Sequence, residues 1–274
     1  MKFKFAALPL MVFAASAAAE EYTSISEANY TNTEYASTDT DRFDIGTTYF
    51  FAPKESLGPL KEFEYINKVT NIGAGYSYLD FDGGDADTLN VRGEYFTASG
   101  FVFGASYSDT SFDSDFQSGD SDSHTLSAGY LFNPDFLAQV HRVKGDDSDA
   151  VYFADLRYNH RLSGNDYIGF NFVADDEFDS RTLSSKLFKD LGGETYLTAN
   201  ATYVSNDDAD NYWSVGAEYY FSKETSVFAD YDEVETFELG VSHFFNRNVA
   251  GKLAYTTNND TDVDAFLLGV TVQL

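Results

Sequence analysis

The sequence predicts an all-β fold, a transmembrane antiparallel β-barrel of sixteen strands with short periplasmic turns and acidic extracellular loops. Three observations carry this. From Arg42 onward the chain repeats a stretch of roughly ten residues with period-two alternation, followed by a turn or an acidic loop. It holds 20 Tyr and 26 Phe but one Trp and two Met, while the mean hydropathy stays polar at −0.32. Its links sort into two sets that alternate along the chain.

Alternation comes first, because it means that one strand face is apolar and the other is not. In the last strand Phe266, Leu268, Val270, Val272 and Leu274 share a side, with Gly269, Thr271 and Gln273 between them and Leu267 the exception on the polar side. The same rows recur as Phe237, Leu239, Val241, His243 and Phe245, and as Trp213, Val215, Ala217, Tyr219 and Phe221. Rows tend to end in aromatics, as the two lipid–water interfaces favour. A soluble β-sandwich alternates too, so periodicity alone leaves that fold open.

The connections separate the two. Ala98-Ser99-Gly100, Asn133-Pro134-Asp135, Ser163-Gly164-Asn165, Gly192-Gly193, Ser222-Lys223-Glu224 and Asn246-Arg247-Asn248 are turn-like. The links between them are rich in carboxylates, including Asp82 to Asp87, Asp109 to Asp122, Asp175 to Asp179 and Asp230 to Glu235. One tight end and one acidic end are expected of an outer-membrane barrel; a sandwich has no reason to sort its loops so. Counting back from Leu274 gives thirteen strands to Leu89, then Val69 to Phe81, Arg42 to Ala52 and a weaker one from Tyr22 to Tyr35. Pro53 to Lys68 is read as a periplasmic connection, since another strand would make the number odd.

Ahead of the barrel, Lys2 and Lys4, the apolar run Phe5 to Ala15 and Ser16-Ala17-Ala18-Ala19 have the order of a secretory signal. The expected organisation is a signal peptide over 1–19 and a barrel over 20–274, placed in the Gram-negative outer membrane after export. The run is too short for a spanning helix. The whole chain carries a formal charge of −28 and loses two lysines with the signal, so nucleic acid is excluded as a partner and cations are attracted. There is no cysteine, hence no thiolate metal site.

If the apolar rows face lipid, their alternating partners line the interior: Asp44, Arg92, Glu94, Asp155, Arg157, Lys186, Glu218, Asp230, Glu238 and Lys252. Unpaired buried ions cost several kcal/mol, so such a wall needs dense pairing or water. Barrels of 16 to 18 strands enclose an aqueous channel where those of about 8 are filled by side chains. Small hydrophilic solutes are then the expected cargo, and the acidic rim predicts a mild cation preference.

Tyr49-Phe50-Phe51, Gly58-Pro59-Leu60 with Glu62, and Ile66-Asn67 running into Ile72-Gly73-Ala74-Gly75-Tyr76-Ser77-Tyr78 resemble the amino-terminal signature of the Putative general bacterial porin family. The resemblance covers residues 45 to 80 by motif and the remainder by architecture. It implies a sixteen-stranded or similar barrel admitting small hydrophilic solutes, embedded among outer-membrane lipid and lipopolysaccharide, and it implies trimers as one assembly state. General porins narrow the lumen with one inward loop. Asp109 to Ser123, with Phe112, Asp113, Asp115 and Phe116, is the segment long enough for that role or for waving in solvent. Inward aromatics such as Phe50, Phe96, Phe153 and Phe228 could narrow the bore instead. The last octet resembles the carboxy-terminal signal read by the barrel-assembly machinery at Gly269, Val272 and Leu274, and departs from it at Leu267 and in ending on Leu rather than Phe.

Asp113, Asp115, Gly119 and Asp120 miss the calcium-loop pattern, and no cofactor is expected. Four histidines and no Gly-Xaa-Ser-Xaa-Gly, Walker-type or His-Glu-Xaa-Xaa-His motif argue against an enzyme. A structural or adhesive barrel that binds at its loops and conducts nothing is the main alternative.

Overall fold

The computed structural model describes residues 20–35, 38–146 and 148–274; the signal-peptide expectation lies outside them. Sixteen antiparallel strands form one closed barrel. They are β1 (Glu21–Glu34), β2 (Asp39–Glu55), β3 (Asn71–Phe81), β4 (Gly84–Phe96), β5 (Phe101–Ser114), β6 (Ser118–Asn133), β7 (Phe136–Gly145) and β8 (Val151–Arg161), then β9 (Tyr167–Asp175), β10 (Ser180–Gly192), β11 (Thr195–Asn206), β12 (Tyr212–Tyr220), β13 (Thr225–Asp232), β14 (Thr236–Phe244), β15 (Val249–Asn258) and β16 (Val263–Gln273). Each pairs with its sequence neighbours, and β1 pairs with β16 from Ile25↔Gln273 to Glu34↔Asp264. At that seam the Leu274 carbonyl accepts from the Ser24 amide at 2.8 Å and the Leu274 amide donates back at 2.9 Å. Closure leaves no edge strand to template aggregation.

Register decides which face each residue takes. In β12, Trp213, Val215 and Tyr219 point outward and are exposed, while Ser214, Gly216, Glu218 and Tyr220 point inward. The outward surface is a wall of large apolar side chains, and its aromatics form two belts. Tyr49, Phe51, Tyr95, Phe101, Phe132 and Phe221 ring one end, and Tyr30, Phe43, Tyr107, Trp213, Phe237 and Phe266 ring the other. Two girdles flanking an apolar band are the lipid-facing dress of an outer-membrane barrel.

The connections correct one expectation. The acidic links are not long loops: β5 and β6 run on as a paired hairpin as far as Asp113↔Ser118, and β3 and β4 as far as Phe81↔Gly84. Thr and Ser alternating with Asp keep the ladder going past the apolar band, so the carboxylates ride on projecting strands. The longest described connection is instead 56–70, between β2 and β3, at the end that carries Glu21 and Gln273 and is periplasmic in barrels of this kind.

Candidate functional site

Residues 56–70 do not hang below the barrel; they form a strap across its periplasmic mouth. The β2 ladder ends at Glu55, four residues before Pro59. A turn follows, with the Glu62 amide donating to Pro59 O at 3.1 Å and the Leu57 amide to Glu62 O at 2.8 Å, and Ser56 bridges Phe63. The Leu60 amide donates to Lys223 O on the far rim at 3.0 Å. Two apolar anchors hold the ends: Leu60 packs with Phe244 and Ala250, and Ile66 with Val102 and Leu137. Both are within 2% of complete burial, worth about 1.5–3 kcal/mol each.

Between the anchors lies an inward aromatic shelf, one residue from each of four consecutive strands: Tyr167, Phe188, Tyr196 and Tyr220. Tyr167 stacks on Phe188 at 5.7 Å and Phe188 on Tyr196 at 5.9 Å. Tyr65 of the strap packs on Tyr167, its ring lying where a Cβ on Gly169 would come within 2.5 Å. At Gly58, with φ 145°, an added Cβ would come as close to the Tyr196 ring.

The strap also carries charge into the lumen. Lys61 pairs with Glu218 of β12 at 2.5 Å, and Glu62 accepts from Lys186 of β10 at 2.7 Å and from the Tyr220 hydroxyl at 2.7 Å. Beyond them Lys252 lies 3.7 Å from Glu238 and 4.6 Å above the Phe228 ring. Gly216 and Gly240 are bare because a Cβ there would overlap the Asp230 carboxylate and the Phe228 ring. On the opposite wall Arg157 donates to Asp155 at 2.6 Å, and His141 approaches the same carboxylate at 3.4 Å.

Register places all ten expected lining residues on the inward face, nine of them in two separated groups. Lys186, Glu218, Asp230, Glu238 and Lys252 surround a cavity of about 300 Å³ beside the strap. Across the bore, Arg92, Glu94 and Arg157 border a second cavity of about 430 Å³, with Asp155 buried behind Arg157. Asp44 lies nearer the acidic end, with Arg42 at 2.9 Å, on a cavity of about 640 Å³ that Glu27 and Arg92 also border. The segment considered for an inward loop stays in the wall. Phe112 pairs with Ala86 and Gly119, Asp113 with Asp85 and Ser118, the Asp115 amide donates to Gly83 O, and Phe116 is 98% exposed at the tip. Cross-strand pairing uses up the backbone groups that an inward fold would have to release.

The strap residues Lys61, Glu62 and Tyr65 and the shelf residue Tyr220 were not expected as functional. Gly269 faces inward beside Asn29, whereas Val272 and Leu274 face outward. No helix among the described residues is long and apolar enough to cross a membrane, and no group of three or more His, Asp or Glu side chains among them is placed to hold a metal ion.

A closed sixteen-strand wall, apolar outside and charged within, defines an outer-membrane channel of the porin class. The chain belongs to the Putative general bacterial porin family, whose model matches residues 4–274. Among solved structures it is similar to Acinetobacter baumannii Omp33, at 18% identity and TM-score 0.59, covering 94% of this chain and 100% of that one. Pseudomonas putida OprB matches at 10% identity and TM-score 0.56, over 93% of both chains. Pseudomonas aeruginosa OccK2, determined in complex with glucuronate, matches at 11% and 0.51, over 93% and 96%. No curated protein matches the sequence.

Proposed function

We propose that the protein lets ions and small hydrophilic solutes diffuse across the outer membrane, with the bore set by the periplasmic strap and a mild preference for cations set by the acidic rim. The observation that carries this is the strap itself. It is tied to the walls by two apolar anchors and two ion pairs, yet leaves charged cavities on both sides rather than a dry plug. Fixed carboxylates on projecting strands raise the local cation concentration at the entrance, an effect that salt screens over about 10 Å at 0.1 M. Asp44, Arg92, Glu94, Asp155, Arg157, Lys186, Glu218, Asp230, Glu238 and Lys252 line the path.

The same reading takes residues 1–19 as a cleaved signal, and Gly269, Val272 and Leu274 as the handle for the barrel-assembly machinery. It embeds the aromatic girdles among lipid and lipopolysaccharide, and admits a homotrimer as the assembled state. The strap is also the one observation that favours a second reading, a filled barrel that conducts nothing. Planar-bilayer recording of the refolded mature protein separates the two. Diffusion predicts discrete open steps with a reversal potential displaced towards the cation in a low-salt gradient, shrinking as salt rises. Silence supports the filled barrel, and equal permeability of cation and anion at low salt removes the cation preference.

A further inference from the structure

We propose that the recess bounded by Lys54, Arg92 and Arg157 is a binding site for small hydroxylated carboxylates. This deepens the diffusion reading by naming a solute class, and it rests on that reading for access. In a chain of net charge −28, this cavity is lined by three basic side chains, Lys54, Arg92 and Arg157, together with His141 and one carboxylate, Glu94. The cavity across the bore has the opposite balance, with Glu62, Glu218, Asp230 and Glu238 against three lysines.

The cations of the recess are also differently held. Arg157 is neutralised by Asp155, leaving two. Arg92 is exposed to the lumen, and its guanidinium finds only the Thr48 hydroxyl, at 3.4 Å. Lys54 lies 4.7 Å above the Phe50 ring and 5.2 Å from that of Phe63. Aromatic faces hold an ammonium in place without cancelling its charge. Neither cation has a carboxylate within ion-pair distance among the described residues. Glu94 itself is engaged by the Asn71 amide at 3.5 Å.

The rest of the lining is neutral and rich in hydrogen-bonding groups: Thr48, Asn67, Asn71, Ser106, Thr125 and Ser127. A guanidinium beside a fixed ammonium suits a carboxylate, and hydroxyls and amides around it suit hydroxyl groups on the same molecule. Lys54 sits at the periplasmic end of β2, so the recess lies deep in the bore, away from the acidic rim that would repel an anion at entry.

Isothermal titration of the detergent-solubilised barrel with galacturonate, and with galactose as the neutral analogue, tests this without requiring conduction. Galacturonate should bind and galactose should not, with affinity falling as salt rises. Arg92→Ala and Lys54→Met should each weaken galacturonate about tenfold, the loss of one charge-assisted hydrogen bond. Lys144→Ala, which removes an outward cation of the same sign, should change nothing. If heat-modifiable gel mobility shows that Arg92→Ala does not fold, Lys54→Met decides. Equal response to the two sugars, or galacturonate binding unaffected by the folded recess variants, overturns the proposal. In parallel bilayer recordings, absent conductance would defeat the diffusion reading while leaving the titration to judge the recess.

Discussion

Glu62 is the residue on which the strap's polar contacts converge. It is 5% exposed and holds both a lysine and a tyrosine hydroxyl. Glu62→Gln removes the charge while keeping the shape, leaving Lys186 without its partner. Lys186 is partly exposed and can hydrate, so we expect a loss of about 1–2 kcal/mol rather than the larger cost of an orphaned deep ion. The strap should then fluctuate, visible as added open-channel noise. Gly169→Ala acts by contact rather than charge: its Cβ would meet three atoms of the Tyr65 ring at 2.5 Å. It should cost about 1–3 kcal/mol by overpacking and lower the thermal midpoint of the purified barrel; an unchanged midpoint would mean that Tyr65 does not rest there. At this scale the sequence was legible wherever parity governs. Ten charged residues from Asp44 to Lys252 fall on the inward face because a strand alternates strictly. Which of them meet was not legible, since Lys186 and Glu62 are 124 positions apart and their contact depends on the strap.

Sixteen strands could be counted from the sequence because each carries its own apolar row, even the weak β1, whose outward Ser26 and Ala28 dilute the pattern. The strap could not be read in this way. Leu57, Leu60, Phe63 and Ile66 recur every third residue, a spacing that fits neither a strand nor an α-helix, and each packs into a different pocket of the wall. The usable signal was a charged pair, Lys61-Glu62, among apolar residues in a connection too long for a tight turn. Among the ordinary periplasmic turns, that between β8 and β9 is locked by Asp166, whose backbone closes the turn on Leu162 and Ser163 while its carboxylate reaches β10. Its carboxyl is desolvated, which would raise its pKa. The Asp190 amide at 2.7 Å and the Lys189 ammonium outweigh this and hold it below the usual carboxylate value. A group depressed in the folded state adds stability above its unfolded pKa of about 3.9 and loses it as pH falls through the folded value. Asp166→Asn should therefore melt lower than the parent at pH 7, with the gap closing below about pH 4. A gap independent of pH would refute the charge-based account of this turn.

For the whole molecule, charge is arranged by depth. Carboxylates crowd the projecting strands at one end, mixed ion pairs line the middle, and the strap carries Lys61 and Glu62 across the other end. The sequence anticipated the acidic end but left Asp109–Ser123 between an inward loop and one waving in solvent, because length in a hydrophilic stretch looks the same whether it is loop or extended strand. The strap proposed to narrow the bore lies at the opposite mouth. The direct test is the unit conductance of the parent barrel and of a variant with residues 58–67 replaced by a short glycine-rich link, both refolded and recorded under one salt condition. A strap that sets the bore predicts larger open steps in the variant with the barrel still heat-modifiable. Identical steps from a folded variant would mean that current passes elsewhere, and would contradict the account.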